Sequence, residues 1–389
     1  MNNAYIIDAR RTPIVRAGKE YARISADKLI APVLTALVER MGIAPHEVDH
    51  VILGNAAGPG GNIARVATLA STLPSSVSAT SVDAQCASGL EAISAGARMI
   101  RCGEADIVIA GGVESVTTAP WRVEKQASAI TPPRMYSRAR FTPEPEPDPE
   151  MGVAAENIAK RFKVSRERQD SFALQSHRRA VTAKNSGLFH DELLPVSTPT
   201  GLISEDTCPR PSVDERKLAA LKPAFVSNGS VTAGNSCPIN DGAAAVLMVS
   251  EKVLHALNPP FALRYLATAS GACDPEILGM AAVPAYEKLA RMLQDADYAH
   301  TRLVEFNEAF AVQALACLEA LGIDPTEVNR DGGALALGHP YGASGAILTT
   351  RLFWQAQKLR LEGQRAFALM AAAGGTGSAT AFESVLPGA

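Results

Sequence analysis

The sequence predicts an α/β layered fold made of two similar halves with an insertion between them. Three observations carry this. Apolar strand-like runs alternate with stretches that place apolar residues at helical spacing. A small-residue motif occurs twice, as Ala87-Ser88-Gly89 and as Ala343-Ser344-Gly345. Each copy opens an apolar helix, and each helix is followed by an apolar strand ending in paired glycines, Ile107 to Gly112 and Phe367 to Gly375. Between the halves the composition changes abruptly to proline and charge.

The first half reads in order as follows. Residues 4–8 form a strand. Ala26 to Met41 is an amphipathic helix with Leu29, Ile30, Val33, Leu34 and Leu37 on one side. Val48 to Gly54 is a strand, Ile63 to Leu73 is helical, and Ser78 to Ala84 is a strand leading into Cys86. Ala87 to Ile100 is a buried helix, with Leu90, Ile93, Ala97 and Ile100 in register. Ala105 to Gly112 is continuously apolar, the pattern of a strand buried on both faces.

The segment 119–149 ends in Pro143-Glu144-Pro145-Glu146-Pro147-Asp148-Pro149, too rich in proline for a helix or a central strand. Met151 to Phe162 and Ser165 to Asn185 are helices, the second with Ser165 as N-cap. Their many basic residues read as a solvated face before they read as a phosphate site. From about Leu254 the α/β pattern resumes. Leu303-Val304-Glu305-Phe306-Asn307 answers Val51-Ile52-Leu53-Gly54-Asn55 of the first half. The expected division is 1–118 with 246–258 as the N-terminal half, 119–245 as the insertion and 259–389 as the C-terminal half. A site between such halves draws loops from both.

Composition narrows the function. A chain of 389 residues with 47% hydrophobic and 20% charged residues is a well-buried globular protein of two or three lobes. The net charge of −3 argues against a general nucleic-acid binder. The six cysteines show neither CxxC pairing nor a histidine cluster, so neither a metal site nor a disulfide scaffold is expected, and a reducing cytoplasm is. No signal peptide is apparent, and no apolar run approaches the roughly 20 residues that span a bilayer.

Cys86 sits at a strand-to-helix turn. The free N–H groups and dipole of a helix N-terminus favour a thiolate and lower its pKa; a buried structural cysteine fits the local sequence equally well. The second half weighs on this choice. His339 lies between Gly338 and Pro340, on a loop whose backbone can approach a ligand. Asn307-Glu308-Ala309-Phe310 follows directly on a strand, and Gly374-Gly375-Thr376-Gly377 follows the last buried one. A strand-to-helix cysteine with such a histidine in the matching half points to a Cys–His pair.

These stretches, with Gly332 to Gly345, Gly229 to Asn235 and Ile239 to Ala244, together resemble the thiolase family, in the family's order and spacing from about Ile6 to Glu383. The resemblance implies a five-layered αβαβα core with an inserted loop domain, acyl-CoA and CoA as substrates with no further cofactor, and a homodimer or homotetramer. Association with other enzymes of fatty-acid metabolism is a further implication. Cys86 would be the nucleophile that takes the acyl group. His339 would activate it and donate to the thioester oxygen, and Asn307 would hold a water completing that oxyanion hole. The amides of Cys86 and Ala373 would form a second hole. The resemblance assigns Arg210, Ser236, Cys237, Met151, Phe225 and Phe310 to binding of CoA and substrate.

The chain departs from the family at four places. The family's second cysteine, which moves the α-proton of acetyl-CoA, is Ala371 here, and alanine can move no proton. General acid–base catalysis contributes about 10²–10⁴-fold, so ordinary turnover is expected to suffer. The first glycine of the final motif is Ala373, a serine lining the pantetheine tunnel is Cys237, and a histidine before Met151-Gly152 is Glu150. Decarboxylative condensation, acyl transfer to another acceptor, hydrolysis, or a non-catalytic acyl-CoA-binding subunit are the alternatives these changes leave open. Whether Cys237 replaces the missing cysteine is open as well.

Overall fold

The structure, a computed structural model, describes residues 2–387 except 129, 137, 295–302 and 361. Its centre is a ten-stranded sheet system in which each half repeats one strand order. In the first half the order is His50–Gly54, Ile107–Ser115, Asn240–Ser250, Ala4–Arg11; in the second it is Leu303–Phe306, Arg365–Ala372, Thr376–Val385, Ala262–Ala272. The two orders correspond strand for strand. They meet edge to edge where Tyr5 pairs with Arg264 and Ile6 with Leu263. Ser78–Val82 extends the first half, parallel to His50–Gly54.

Side-chain alternation along these strands sorts the core into three clusters. Tyr5, Ile7, Val51, Ile109 and Leu247 face the outer helices Ala26–Met41 and Ile63–Ala70. Ile6, Val108, Val246, Ala368 and Met370 face inward, onto the helices Ser88–Cys102 and Tyr341–Leu359. Phe367, Leu369, Ala379 and Ala381 face the opposite outer layer, which includes Ala282–Leu293 and Ala311–Ala320. Helix, sheet, helix, sheet, helix is the five-layered order expected. Ile107–Ser115 is buried along its whole length, as its unbroken apolar run predicted.

The repeated small-residue motif has a specific use. A Cβ on Gly89 would lie 2.7 Å from the carbonyl oxygen of Gly342, and one on Gly345 would lie 2.4 Å from the amide nitrogen of Leu90. The two central helices therefore cross backbone to backbone at these glycines. Cys86 and His339 each lie three residues before a glycine of this crossing, so it brings both to one end of the central layer.

The insertion leaves the sheet after Ser115 and returns at Asn240. Its strand of return is continuous from Asn240 to Ser250, across the expected boundary at residue 246. Where the first half carries this excursion, the second half makes only the turn between Ala372 and Thr376. The Pro-rich part contains a small hairpin, Arg122–Glu124 with Arg134–Tyr136, and the helices Met151–Phe162 and Arg166–Asn185 follow. Ser165 Oγ accepts from the Arg168 amide at 3.3 Å, the cap expected. Much of the basic face is bound within the protein: Arg166 to Asp170, Arg179 to the Val328 carbonyl, Lys184 to Glu205. Arg11, fully buried, fastens the insertion to the first strand through Glu192 (2.8 Å) and Asp206 (2.7 and 2.8 Å). Among the described residues no helix is long and apolar enough to cross a membrane.

Candidate active site

Cys86 stands on a tight turn between Ser78–Val82 and Ser88–Cys102. Gln85 adopts φ 53°, a left-handed conformation that non-glycine residues rarely take. Local hydrogen bonds hold it there. Asp83 accepts from the Gln85 amide at 2.9 Å, and Ser88 Oγ accepts from Ala84 N at 2.9 Å while donating to the Gln85 carbonyl at 2.5 Å. The turn aims the half-buried Cys86 sulfur at two backbone donors, its own amide and that of Ala373. Ala373 is not among the residues with positive φ, so its methyl brings no left-handed strain.

The helix N-terminus does not give a low resting pKa, contrary to expectation. Burial pushes the Cys86 thiol up to about 12, and the lowering effect of the two amides is smaller. The reason is the apolar packing of the central layer: a partial dipole charge is outweighed by withdrawal from water.

His339 is buried at 2% exposure, and burial lowers its pKa to about 4, so the ring is neutral at physiological pH. Nδ1 lies 2.6 Å from Ser344 Oγ, and Nε2 lies 3.4 Å from Asn307 Nδ2. With Nδ1 carrying the proton toward Ser344, Nε2 presents a lone pair. The backbone is fixed by Asn240, whose Oδ1 accepts from the His339 amide at 3.0 Å. Gly338 makes this possible at φ 114°, where a Cβ would lie 2.6 Å from the Asn240 side chain.

Asn307 follows the Leu303–Phe306 strand, and its amide donates to the Leu369 carbonyl at 2.9 Å. Its Oδ1 is buried without a partner. A cavity of about 20 Å³, room for a single water, is lined by Asn307, Ser344, Glu305 and Arg351 among others. Glu308 braces the same loop, accepting from Ser176 Oγ at 2.7 Å, Asn329 Nδ2 at 2.6 Å and the Leu335 amide at 3.2 Å.

The expected substrate residues fall largely on one face. The Phe225 and Phe310 rings meet edge to face at 6.0 Å, and Phe225 lies over Gly152, next to Met151. Ser236 pairs with Phe310, and the Cys237 amide donates to the Ala309 carbonyl at 3.0 Å. Arg210 is exposed on the loop after Cys208, its amide donating to His177 Nδ1 at 3.2 Å. Ala371 faces the outer C-terminal core.

Sequence reasoning missed Gln85, Asn240 and Glu114. Glu114 accepts from the amides of Ala56 (3.0 Å), Ala57 (3.1 Å) and Gly342 (3.0 Å) and from Asn55 Nδ2 (3.0 Å), tying the start of the Tyr341–Leu359 helix to the first half. Burial raises its pKa to about 7. The only signal was a glutamate within an otherwise apolar strand.

Comparison with known proteins bears on the family and the fold. The thiolase N-terminal domain matches residues 4–252 and the thiolase C-terminal domain residues 260–384. A putative acetyl-CoA C-acetyltransferase, VraB, of Staphylococcus aureus (strain MRSA252) is 37% identical over 384 residues, covering 98% of this chain and 99% of the relative. The protein of the same description from Staphylococcus haemolyticus (strain JCSC1435) is 37% identical over 386 residues, covering 98% and 99%. The crystal structure of the Bacillus anthracis acetyl-CoA acetyltransferase superposes with a TM-score of 0.92 at 34% identity, covering 99% of each chain. With both domains matched along nearly its whole length, the chain belongs to the thiolase family and is a thiolase-like acyltransferase.

Proposed function

We propose that the protein takes an acyl group from a CoA thioester onto Cys86 and works in thiolytic cleavage or Claisen condensation of 3-ketoacyl-CoA. The observation that carries this is the Cys86 sulfur facing the amides of Cys86 and Ala373, at the helix crossing that also brings His339. His339 Nε2 takes the thiol proton as the sulfur attacks the carbonyl carbon. Its neutral resting state makes it a competent base, and a thiol of high pKa ionises only as this transfer occurs. The two amides meet the oxyanion that develops, and fixed donors need no reorganisation at that moment. Asn307, with its free Oδ1, holds a water for the opposite oxygen. Phe225, Phe310, Met151, Ser236 and Cys237 line the acyl-pantetheine path, and Arg210 meets a CoA phosphate. The protein works as a homodimer or homotetramer in the cytoplasm.

Ala371 favours a second reading, in which loss of carbon dioxide from a malonyl thioester generates the carbanion and no α-proton is moved. Thiolysis of 3-ketoacyl-CoA and carbon dioxide release from malonyl-CoA, measured side by side, separate the two. The first reading predicts CoA-dependent cleavage that Cys86→Ser abolishes. Carbon dioxide release without thiolysis would replace it with the second, and a Cys86→Ser variant as active as the parent would overturn both.

A further inference from the structure

A proton taken up by His339 has a poor resting place. The ring is 2% exposed, and burial lowers its pKa to about 4, so an imidazolium there gives its proton up readily. A neighbour that receives the Nδ1 proton while Nε2 gains one would keep the ring neutral throughout. Nδ1 has Ser344 Oγ at 2.6 Å. A hydroxyl accepts and donates, so Ser344 can hand a proton on but does not keep it. What lies beyond Ser344 decides where the proton goes.

Ser344 is itself buried, and it lines the cavity of about 20 Å³ together with Asn307, Glu305 and Arg351. The rest of the lining is apolar side chains and glycines. Two polar atoms of these residues, Arg351 Nε and Asn307 Oδ1, are buried without a partner among the described residues, the first a donor and the second an acceptor. Such orphaned groups mark the place of an ordered water, and a cavity of this size holds one when it offers two to four polar partners. The terminal nitrogens of Arg351 are bound to Glu192 and Asp331. Glu305 accepts from Gln355 Nε2 at 2.8 Å, and the same Gln355 nitrogen donates to Asp331 at 2.9 Å. The carboxylate and guanidinium at this cavity are therefore fixed in place.

We propose that the cavity holds a water joining Ser344 to Glu305, and that these two residues, acting through His339, carry the Cys86 proton away from the ring during acylation. This rests on acylation of Cys86. The water accepts from Arg351 Nε and from Ser344, and donates to Asn307 Oδ1 and Glu305. The Asn307 oxygen has two lone pairs, so it holds this water as well as one at the substrate. As the Cys86 sulfur bonds to the acyl carbon, its proton passes to Nε2. The Nδ1 proton passes to Ser344 Oγ, the Ser344 hydroxyl proton to the water, and a water proton to Glu305. The negative charge that leaves Glu305 appears on the oxyanion. When CoA departs as a thiolate, Nε2 gives it the proton and the chain runs backward, which leaves Glu305 ionised and Nε2 bare. Ser344 and Glu305 touch no substrate and are positioning residues.

The acidities fit this direction. Burial raises the Glu305 carboxyl to about 8; Arg351 and Gln355 lower it, and Asp331 and Glu308 raise it further. A proton shared between His339 and Glu305 therefore rests on Glu305. The relay needs the ionised carboxylate, so acylation quickens as pH rises toward 8 and levels off above it.

The test is the single-turnover rate of Cys86 acetylation from acetyl-CoA, read by quenched mass spectrometry from about pH 6 to pH 10, in the wild type, Glu305→Gln, Ser344→Ala and the double variant. Each single variant is expected to lose the rise toward pH 8 and to fall about 10²-fold below the wild type above it. The double variant is expected to be no slower than the slower single one, because both changes break one relay. A wild-type profile in Glu305→Gln, or two losses that multiply in the double variant, would overturn the proposal. Ser344→Ala removes a hydroxyl and leaves the ion pairs of Arg351 in place, so it carries the test should Glu305→Gln not fold, and a wild-type profile there overturns the proposal equally. A wild type that fails to acetylate Cys86 would instead overturn the acyl-enzyme reading, and this proposal with it.

Discussion

In the proposed mechanism Cys86 owes its place in the chemistry to position and not to a low resting pKa. With burial holding the thiol at about 12, alkylation of Cys86 by iodoacetamide should climb about tenfold per pH unit through pH 9. A plateau near pH 7 would show that the dipole outweighs burial after all. In the proposed mechanism His339 supplies the base, so His339→Ala should lower turnover by about 10²–10⁴-fold with the fold intact by circular dichroism. Asn240→Ala leaves the buried His339 amide without its acceptor. It should lower stability by about 1–3 kcal/mol, read by denaturant titration, and slow turnover through a displaced ring. Cys86, His339 and Asn307 were singled out from the sequence because each sits in a short polar or glycine-rich motif at the end of an apolar run. Gln85, Asn240 and Glu114 were not. The left-handed φ of Gln85 has no compositional mark, and the partners of Asn240 and Glu114 lie about a hundred and more residues away in the chain, at His339 and Gly342.

The decisive element contact is the crossing of Ser88–Cys102 with Tyr341–Leu359. Its sequence sign was the repeated Ala-Ser-Gly, and its physical reason is that no side chain fits between the two backbones. Gly345→Val should therefore destabilise the protein by at least the roughly 1–3 kcal/mol typical of overpacking. It should also reduce activity, since Cys86 and His339 precede this contact. A variant with unchanged melting temperature and turnover would contradict that role. Strand and helix positions were readable where burial imposes a period, as in Ile107–Ser115 and Ala26–Met41. The strand Asn240–Ser250 was not read from the sequence, where its first residues, Asn-Asp-Gly, carry turn chemistry and not an apolar run. Tertiary pairing with Ser115 and its neighbours makes them strand.

At the scale of the molecule, duplication produced one scaffold with unequal halves. Asn55 and Asn307 end corresponding strands, yet Asn55 braces Glu114 and Asn307 faces His339. The sequence showed the duplication but not the buried charges that join its parts. Glu305, 1% exposed and bonded to Gln355 Nε2 at 2.8 Å, has its pKa raised by burial to about 8. An unfolded glutamate ionises near 4.3. Glu305 thus contributes stability below about pH 4, and the contribution is lost as pH rises toward 8, with a limiting slope of about 1.4 kcal/mol per unit. Glu305→Gln should gain on the wild type in melting temperature between pH 5 and 8, and parallel profiles would contradict this.

The central claim, an acyl group carried on the cysteine at the helix crossing, is tested most directly by peptide mass spectrometry after incubation with acetyl-CoA. The account predicts an acetyl adduct on Cys86 that disappears when CoA is added and is absent in Cys86→Ser. No adduct on Cys86, or an adduct confined to another cysteine, would contradict it.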